Sequence, residues 1–209
     1  MNTVPRMIPL FPLPNAVLFP QMPLPLHVFE PRYRKMVLDV MDGHRVIGMT
    51  LLKPGWEPEY HGRPEVYACG CAGRIEQCDA LENGRFNIVL RGLSRFRILE
   101  EHEGEPYRVA SIEPLPDRVD EDDDLDAARQ LLMAAIGRAA DGPAVLVMQP
   151  ELPHDVFVNA LCQSLALSPV EQQSLLDCDT ILGRCTRLLE ILDFRLMERR
   201  HGRAGQSLH

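Results

Sequence analysis

Three thiols, Cys69, Cys71 and Cys78, are the most closely spaced residues in the chain that could do chemistry. On a strand, Cys69 and Cys71 point to one face, as two ligands of a soft metal would. The spacing CxC-x6-C lacks a second CxxC pair or a Cys/His knuckle, so the three read as small apolar core residues. Cys162, Cys178 and Cys185 read as packing residues on or beside helices. Seven histidines are scattered with no HExxH pair. A Cys–His nucleophilic pair stays open, because such partners meet in space rather than in sequence. Lys35 and Lys53 are the only lysines. Neither closes a Gly-rich phosphate loop, and neither sits in the setting of a Ser–Lys dyad. The expectation is a non-enzyme without metal or cofactor.

The residues suited to holding a partner are of other types. Trp56 and Tyr60 lie on a Gly/Pro-dense loop, where aromatics supply contact area at little entropic cost. Against this, Trp56 could fold back as a lid over the core. Arg74, Arg91, Arg95 and Arg97 fall on strands and could grip carboxylates or phosphates bidentately. The plainer reading gives them cross-strand acid partners. Trp56, Tyr60, Arg74, Arg91 and Arg95 are taken as the partner-binding set. Glu30 and Arg32 flank Pro31, and Glu30 is expected to cap the following helix.

These side chains need a scaffold, and the opening stretch supplies its plan. Prolines at 9, 12, 14, 20, 23 and 25 alternate with apolar residues. Each removes a donor and fixes φ, which predicts short, bent, edge-type strands before Glu30. Pro31 then suits a first helical position. Tyr33, Met36, Val37, Val40 and Met41 make one apolar stripe, and Gly43 is placed to end the helix in the left-handed conformation. Strands are predicted at 46–52 and 66–78, with a loop at 53–64. Asn83-Gly84 should turn a hairpin into a strand at 86–91, and Gly92 should mark a bulge. Further strands follow at 95–101 and 106–113. Many short strands bent by Gly and Pro suggest a small, partly closed barrel.

Pro114-Leu-Pro116 is the expected boundary. DRVDEDDDLD follows, with seven acids and one arginine. It reads as a solvated linker whose last acids favour a helix amino terminus. Helical periodicity takes over from there. The stripe Leu125, Ala128, Leu131, Leu132, Ala135, Ile136 and Ala139 ends at Gly142-Pro143, and 144–152 look irregular. A helix is predicted at 155–167, and Ser168-Pro-Val-Glu171 is a capping box. A long helix at 177–200 carries Ile181, Cys185, Leu188, Leu189, Leu192 and Leu196 on one stripe. The expected organisation is a β-rich domain at 1–116, a linker at 117–124, a helical subdomain at 125–200 and a disordered tail at 201–209.

The segments IPLFPLPNAVLFPQMPLPLHVFEPRYRKMV, RVIGMTLL, EVYACGCAGRIEQC and FNIVLRGLSRFRILEE occur in this order. Together they resemble the Lon-protease amino-terminal (substrate-binding) domain, in the form found in short stand-alone bacterial proteins. The resemblance is close over roughly 8–116 and looser over the helical remainder. It implies an α+β fold: a bent, partly closed, PUA-like β-barrel with one inserted helix, then a C-terminal α-helical bundle. It also implies a non-catalytic module that engages unfolded or exposed segments of client proteins, with a separate protease as a further partner. The alternative implied by the same fold is an RNA-binding PUA-like domain. The net charge of −8 argues against a broad nucleic-acid face. No apolar run approaches a membrane span, and six cysteines without a secretory pattern fit a cytoplasmic protein with free thiols.

Overall fold

The computed structural model describes residues 4–60, 62–103, 106–118, 121–139 and 151–206, with the backbone alone at 123, 139 and 199–206. His61, the Gly142-Pro143 break, the stretch 144–150 and residues 207–209 lie outside the described residues. The strands are β1 (Met7–Leu13), β2 (Pro23–Val28), β3 (Val46–Leu51), β4 (Cys69–Ala80), β5 (Phe86–His102) and β6 (Arg108–Leu115). The helices are α1 (Pro31–Met41), α2 (Asp122–Ala139), α3 (His154–Ser164), α4 (Pro169–Leu176) and α5 (Ile181–Gln206).

The sheet order is β2-β5-β4-β3-β1-β6, and an added β5–β6 pairing closes a ring of five strands with β2 outside it. Among these six strands, all pairings are antiparallel except β1 with β3. The architecture is α+β, a small barrel joined to helices. The two strands expected at 86–91 and 95–101 are one strand, β5, whose first part pairs with β2 and whose second part pairs with β6. Its register against β4 shifts at Leu93, so the bulge falls one residue past Gly92. Gly92 serves another purpose. A Cβ there would lie 2.1 Å from the Phe19 carbonyl oxygen, so glycine lets the 19–22 segment close onto the strand.

β1 corrects the expectation of edge strands, because it lies between β3 and β6. Its prolines are tolerated for a local reason. Pro9 pairs across to Val109 of β6, before the β3 pairing begins at Leu10. Pro12 pairs with Thr50 of β3, after the β6 pairing has stopped at Leu10. Each proline therefore sits where the strand has one neighbour, which is the edge condition at residue scale. β2 is an edge along its whole length.

Ile8, Leu10, Val46, Ala72, Phe96, Ala110 and Ile112 fill the barrel. The opposite strand faces share a second cluster with α1 and the C-terminal helices, running from Phe11 and Met36 to Phe157, Leu188 and Leu192. On α1, Tyr33, Met36, Val37 and Val40 are buried as their stripe requires. Gly43 is not left-handed. The chain reverses at Arg45, with φ 57, whose amide donates to the Val40 carbonyl at 2.9 Å. On α2 the stripe fails at Leu131, which is 59% exposed. The acidic run is already helical from Asp122. Ser168 and Glu171 form the capping box of α4, with both reciprocal bonds present. The backbone of α5 is helical through Gln206, past the point where a tail is expected. No helix among the described residues is long and apolar enough to cross a membrane.

Candidate functional site

The 53–65 loop is an excursion between β3 and β4, closed at its base. Leu52 bridges Val66, the Lys53 amide donates to the Glu65 carbonyl at 2.9 Å, and Lys53 Nζ pairs with Glu65. Beyond that base, Trp56 and Tyr60 meet edge to face, with ring centroids 5.3 Å apart. Trp56 belongs to neither apolar cluster, so it is not a lid over the core.

Tyr60 pins the loop to the start of α1. Glu30 occupies the N-cap position with extended backbone, but its side chain makes no cap bond, contrary to expectation. Its carboxylate accepts from Arg32 Nε at 3.1 Å and from the Tyr60 hydroxyl. A charge-assisted bond to a guanidinium outcompetes one to a helix amide that Pro31 has already helped to orient. Arg32 Nη2 donates to the Tyr60 carbonyl at 3.2 Å, and the guanidinium stacks over the Tyr33 and Tyr60 rings at 4.6 and 5.4 Å.

Beside this cluster is a cleft of about 310 Å³, lined by Arg32, Tyr33, Gly62, Arg63, Pro106, Tyr107 and Arg108. Its walls are α1, the end of the 53–65 loop and the start of β6. Arg108 grips the Glu101 carboxylate through Nε, at 2.8 Å, and Nη2, and donates from Nη1 to the Pro64 carbonyl at 2.7 Å. It thereby locks the loop end to β6. Tyr107 donates to Asp39 at 2.8 Å. Tyr33 packs on Phe11, with centroids 4.4 Å apart. Burial pushes the Tyr33 phenol up to about 12, against the pull of Arg32, so it stays a neutral hydroxyl. Burial and then the Glu30 carboxylate raise Tyr60 as well.

The other arginines of the sequence set go elsewhere. Arg74 and Arg91 face each other across the β4–β5 ladder, and neither lines the cleft. Arg91 pairs with Glu76 at 3.1 Å and donates to the Gln21 carbonyl. Arg95 is corrected outright, since its side chain is 1% exposed. It bonds Asp117 at 3.0 Å and the Leu176 and Asp179 carbonyls, joining barrel to helices. Arg63, Tyr107 and Arg108 line the cleft without being legible in the sequence. They carry no local signal, being single residues brought together by loop closure and sheet register.

Cys69 and Cys71 do not build a metal site with Cys78. Among the described residues no three His, Cys, Asp or Glu side chains gather to hold an ion, and all six cysteines are free thiols. Burial pushes the Cys69 thiol up to about 12 and raises Cys71 and Cys162 too, the opposite of what a nucleophilic thiolate needs.

Residues 7–193 match the family model of the ATP-dependent protease La (LON) substrate-binding domain. Among curated proteins, the chain is similar to Lon protease 1 of Herpetosiphon aurantiacus, 28% identical over 99% of this chain. It is also similar to Lon protease 2 of Desulfotalea psychrophila, 30% identical over 90% of this chain. It spans about a quarter of these relatives, 26% and 25% of their lengths. Among solved structures, it is similar to a Lon N-terminal domain protein from Xanthomonas campestris, with TM-score 0.66, 28% identity, and coverage of 88% of this chain and 97% of that one. The N-terminal domain of Mycobacterium avium complex Lon protease shares the fold at TM-score 0.64 and 16% identity, covering 89% of this chain and 97% of that one.

Proposed function

Because the chain belongs to the family of the ATP-dependent protease La (LON) substrate-binding domain, we propose that it is a non-catalytic module that engages exposed or unfolded segments of client proteins. The matched region is the substrate-binding module, not the ATPase or protease region of the relatives. The observation that carries the reading to a place on the surface is the Trp56–Tyr60 pair, anchored through Arg32 beside the cleft. Half-buried aromatics on a pinned loop lose little entropy on contact. Adding a peptide strand is disfavoured at β2, where Pro23 and Pro25 lack the amide that pairing would need. A separate protease would be the natural recipient of bound clients. Six free thiols suit a cytoplasmic setting.

The test is fluorescence anisotropy with a model protein kept unfolded by reduction and iodoacetamide alkylation, against its native form. Binding of the unfolded form alone, weakened in Trp56→Ala/Tyr60→Ala, is expected. Equal binding of native and unfolded forms, or of neither, would falsify the reading. Binding unchanged in the double variant would move it to another face.

A further inference from the structure

We propose that the cleft between α1, the 53–65 loop and β6 recognises a carboxylate on the client segment. This rests on the recognition reading above and names what that site takes hold of.

The charge distribution points to an anion. Three guanidiniums line the cleft. Arg32 is matched by Glu30, and Arg108 by Glu101. Arg63 makes no hydrogen bond or ion pair among the described residues, and it is exposed. Among the described residues, one positive charge is therefore uncompensated there, in a chain whose formal net charge is −8.

The geometry favours a small, planar anion. Arg32 is fixed through Nε and Nη2 by Glu30 and the Tyr60 carbonyl, and among the described residues its Nη1 has no acceptor. The Glu30 carboxylate is itself occupied by Arg32 and the Tyr60 hydroxyl, so it is satisfied before a ligand arrives. Arg108 is held on three sides by Glu101 and the Pro64 carbonyl, so its charge is matched and it acts as a fixed wall of the cleft. Tyr33, kept neutral by its burial, adds an uncharged residue to the lining. A preset guanidinium loses little freedom when it forms charge-assisted bonds. The volume of about 310 Å³ suits a carboxylate with the side chain that bears it. The Trp56–Tyr60 pair, joined to Arg32 by Tyr60, offers an apolar rest for the neighbouring client residue.

A carboxylate can come from a chain terminus or from an acidic side chain, and the experiment separates them. Three labelled peptides share one neutral apolar sequence: one with a free C-terminus, one amidated, and one amidated with a single internal Glu. Each is titrated with the full chain at low salt, where an exposed Arg63 is least screened, and each is also used to displace the alkylated unfolded protein. Either acidic peptide is expected to bind about tenfold more tightly than the neutral one, one extra charge-assisted contact. Arg63→Ala, an exposed change that leaves the core alone, is expected to erase that preference. Preference for only the free terminus, or only the Glu peptide, identifies the source and supports the proposal. Equal binding of all three, a preference that survives Arg63→Ala, or peptides that fail to displace a bound unfolded protein overturns the proposal alone. Failure of the unfolded protein and of all peptides to bind removes the recognition reading and the proposal together. Displacement of peptide by a structured RNA, lost in Arg63→Ala, overturns it in favour of a phosphate ligand.

Discussion

Arg95 of β5 and Arg184 of α5 share one oxygen of the Asp117 carboxylate, at 3.0 and 2.9 Å. Both guanidiniums are sealed from solvent, with side chains 1% and 0% exposed. Asp179 lies 3.8 Å from Arg95 but is mostly in water. The Asp177 carboxylate also feels Arg95, and the rest of the compensation is dipolar. The Leu175, Leu176 and Cys178 carbonyls, at and just past the C-terminus of α4, accept from these arginines. That is the negative end of the helix macrodipole. Asn159 adds its side-chain oxygen at 2.6 Å from Arg184 and donates to the Pro20 carbonyl, so the network reaches three helices and the barrel.

Asp117→Asn would keep the shape and remove the charge. Two buried cations would then have only dipoles and the Asp177 and Asp179 carboxylates beside Arg95. A loss of about 3 kcal/mol is expected, at the low end for a broken buried pair because Asp117 itself is partly exposed. Urea unfolding measures it as a lower midpoint with unchanged slope. A shift under about 1 kcal/mol would mean the α4 carbonyls suffice alone.

This network also marks where the sequence stops being readable. Arg95 alternates with Phe96 and looks like the outward half of an amphipathic strand. It is outward from the barrel, but α4 and α5 cover that face, and no local pattern announces the cover. Arg184 adjoins Cys185 on α5, and no local pattern in the sequence marks it for burial. Asp117 reads as the first acid of a linker. By contrast, the α1 stripe and the Ser168–Glu171 box are legible, because each is settled within four residues of backbone geometry. Of the site, Trp56 and Tyr60 are legible from their loop. The cleft is not, because Arg32, Arg63 and Arg108 converge only after the barrel closes.

The barrel interior is tight around Phe96, and two glycines make room for it. A Cβ at Gly48 would sit 2.8–2.9 Å from the side-chain ends of Ile8, Leu10 and Phe96. At Gly70 it would sit 2.4 Å from the Met49 carbonyl oxygen and 2.7 Å from Phe96. Side-chain ends can shift, but a strand carbonyl cannot without breaking its ladder. Gly48→Ala should therefore cost about 1–3 kcal/mol, and Gly70→Ala more. Phe96→Leu should partly rescue Gly48→Ala and leave Gly70→Ala largely unrescued. A double-mutant cycle reads the difference. Equal rescue of both would place the crowding at the ring alone.

Thiol reactivity should follow burial. Cys71, Cys162 and Cys185 are buried, and burial raises the Cys71 and Cys162 thiols. Cys78 lies on the outer part of β4, and its thiol is raised by burial and then by Asp79. A raised pKa leaves less thiolate at mildly alkaline pH, so access decides the order. Titration with a disulfide reagent at about pH 8 should modify Cys78 first. Cys71, Cys162 and Cys185 should react only as the chain unfolds. Early reaction of Cys162 in folded protein would show that the α3–α5 contact opens locally.

Tyr33 gives the fold an alkaline weakness. Burial raises its phenol from the ordinary 10.0 to about 12, partly offset by Arg32. Below the lower value both folded and unfolded chains carry the proton, and Tyr33 adds no pH dependence. Between the two values the unfolded chain ionises while the folded chain does not. Unfolding then releases a proton, and stability falls as pH rises through the window. At about 1.4 kcal/mol per unit, the loss across it is about 3 kcal/mol. Tyr33→Phe has no proton to lose, so it should escape this part of the decline. The check is urea unfolding of wild type and Tyr33→Phe at about pH 9 and about pH 11.5. The stability of wild type relative to the variant should drop by most of that amount between the two. A parallel decline in both proteins would mean that the phenol is as well solvated in the fold as in the open chain, and that the cleft it lines is wetter than its burial implies.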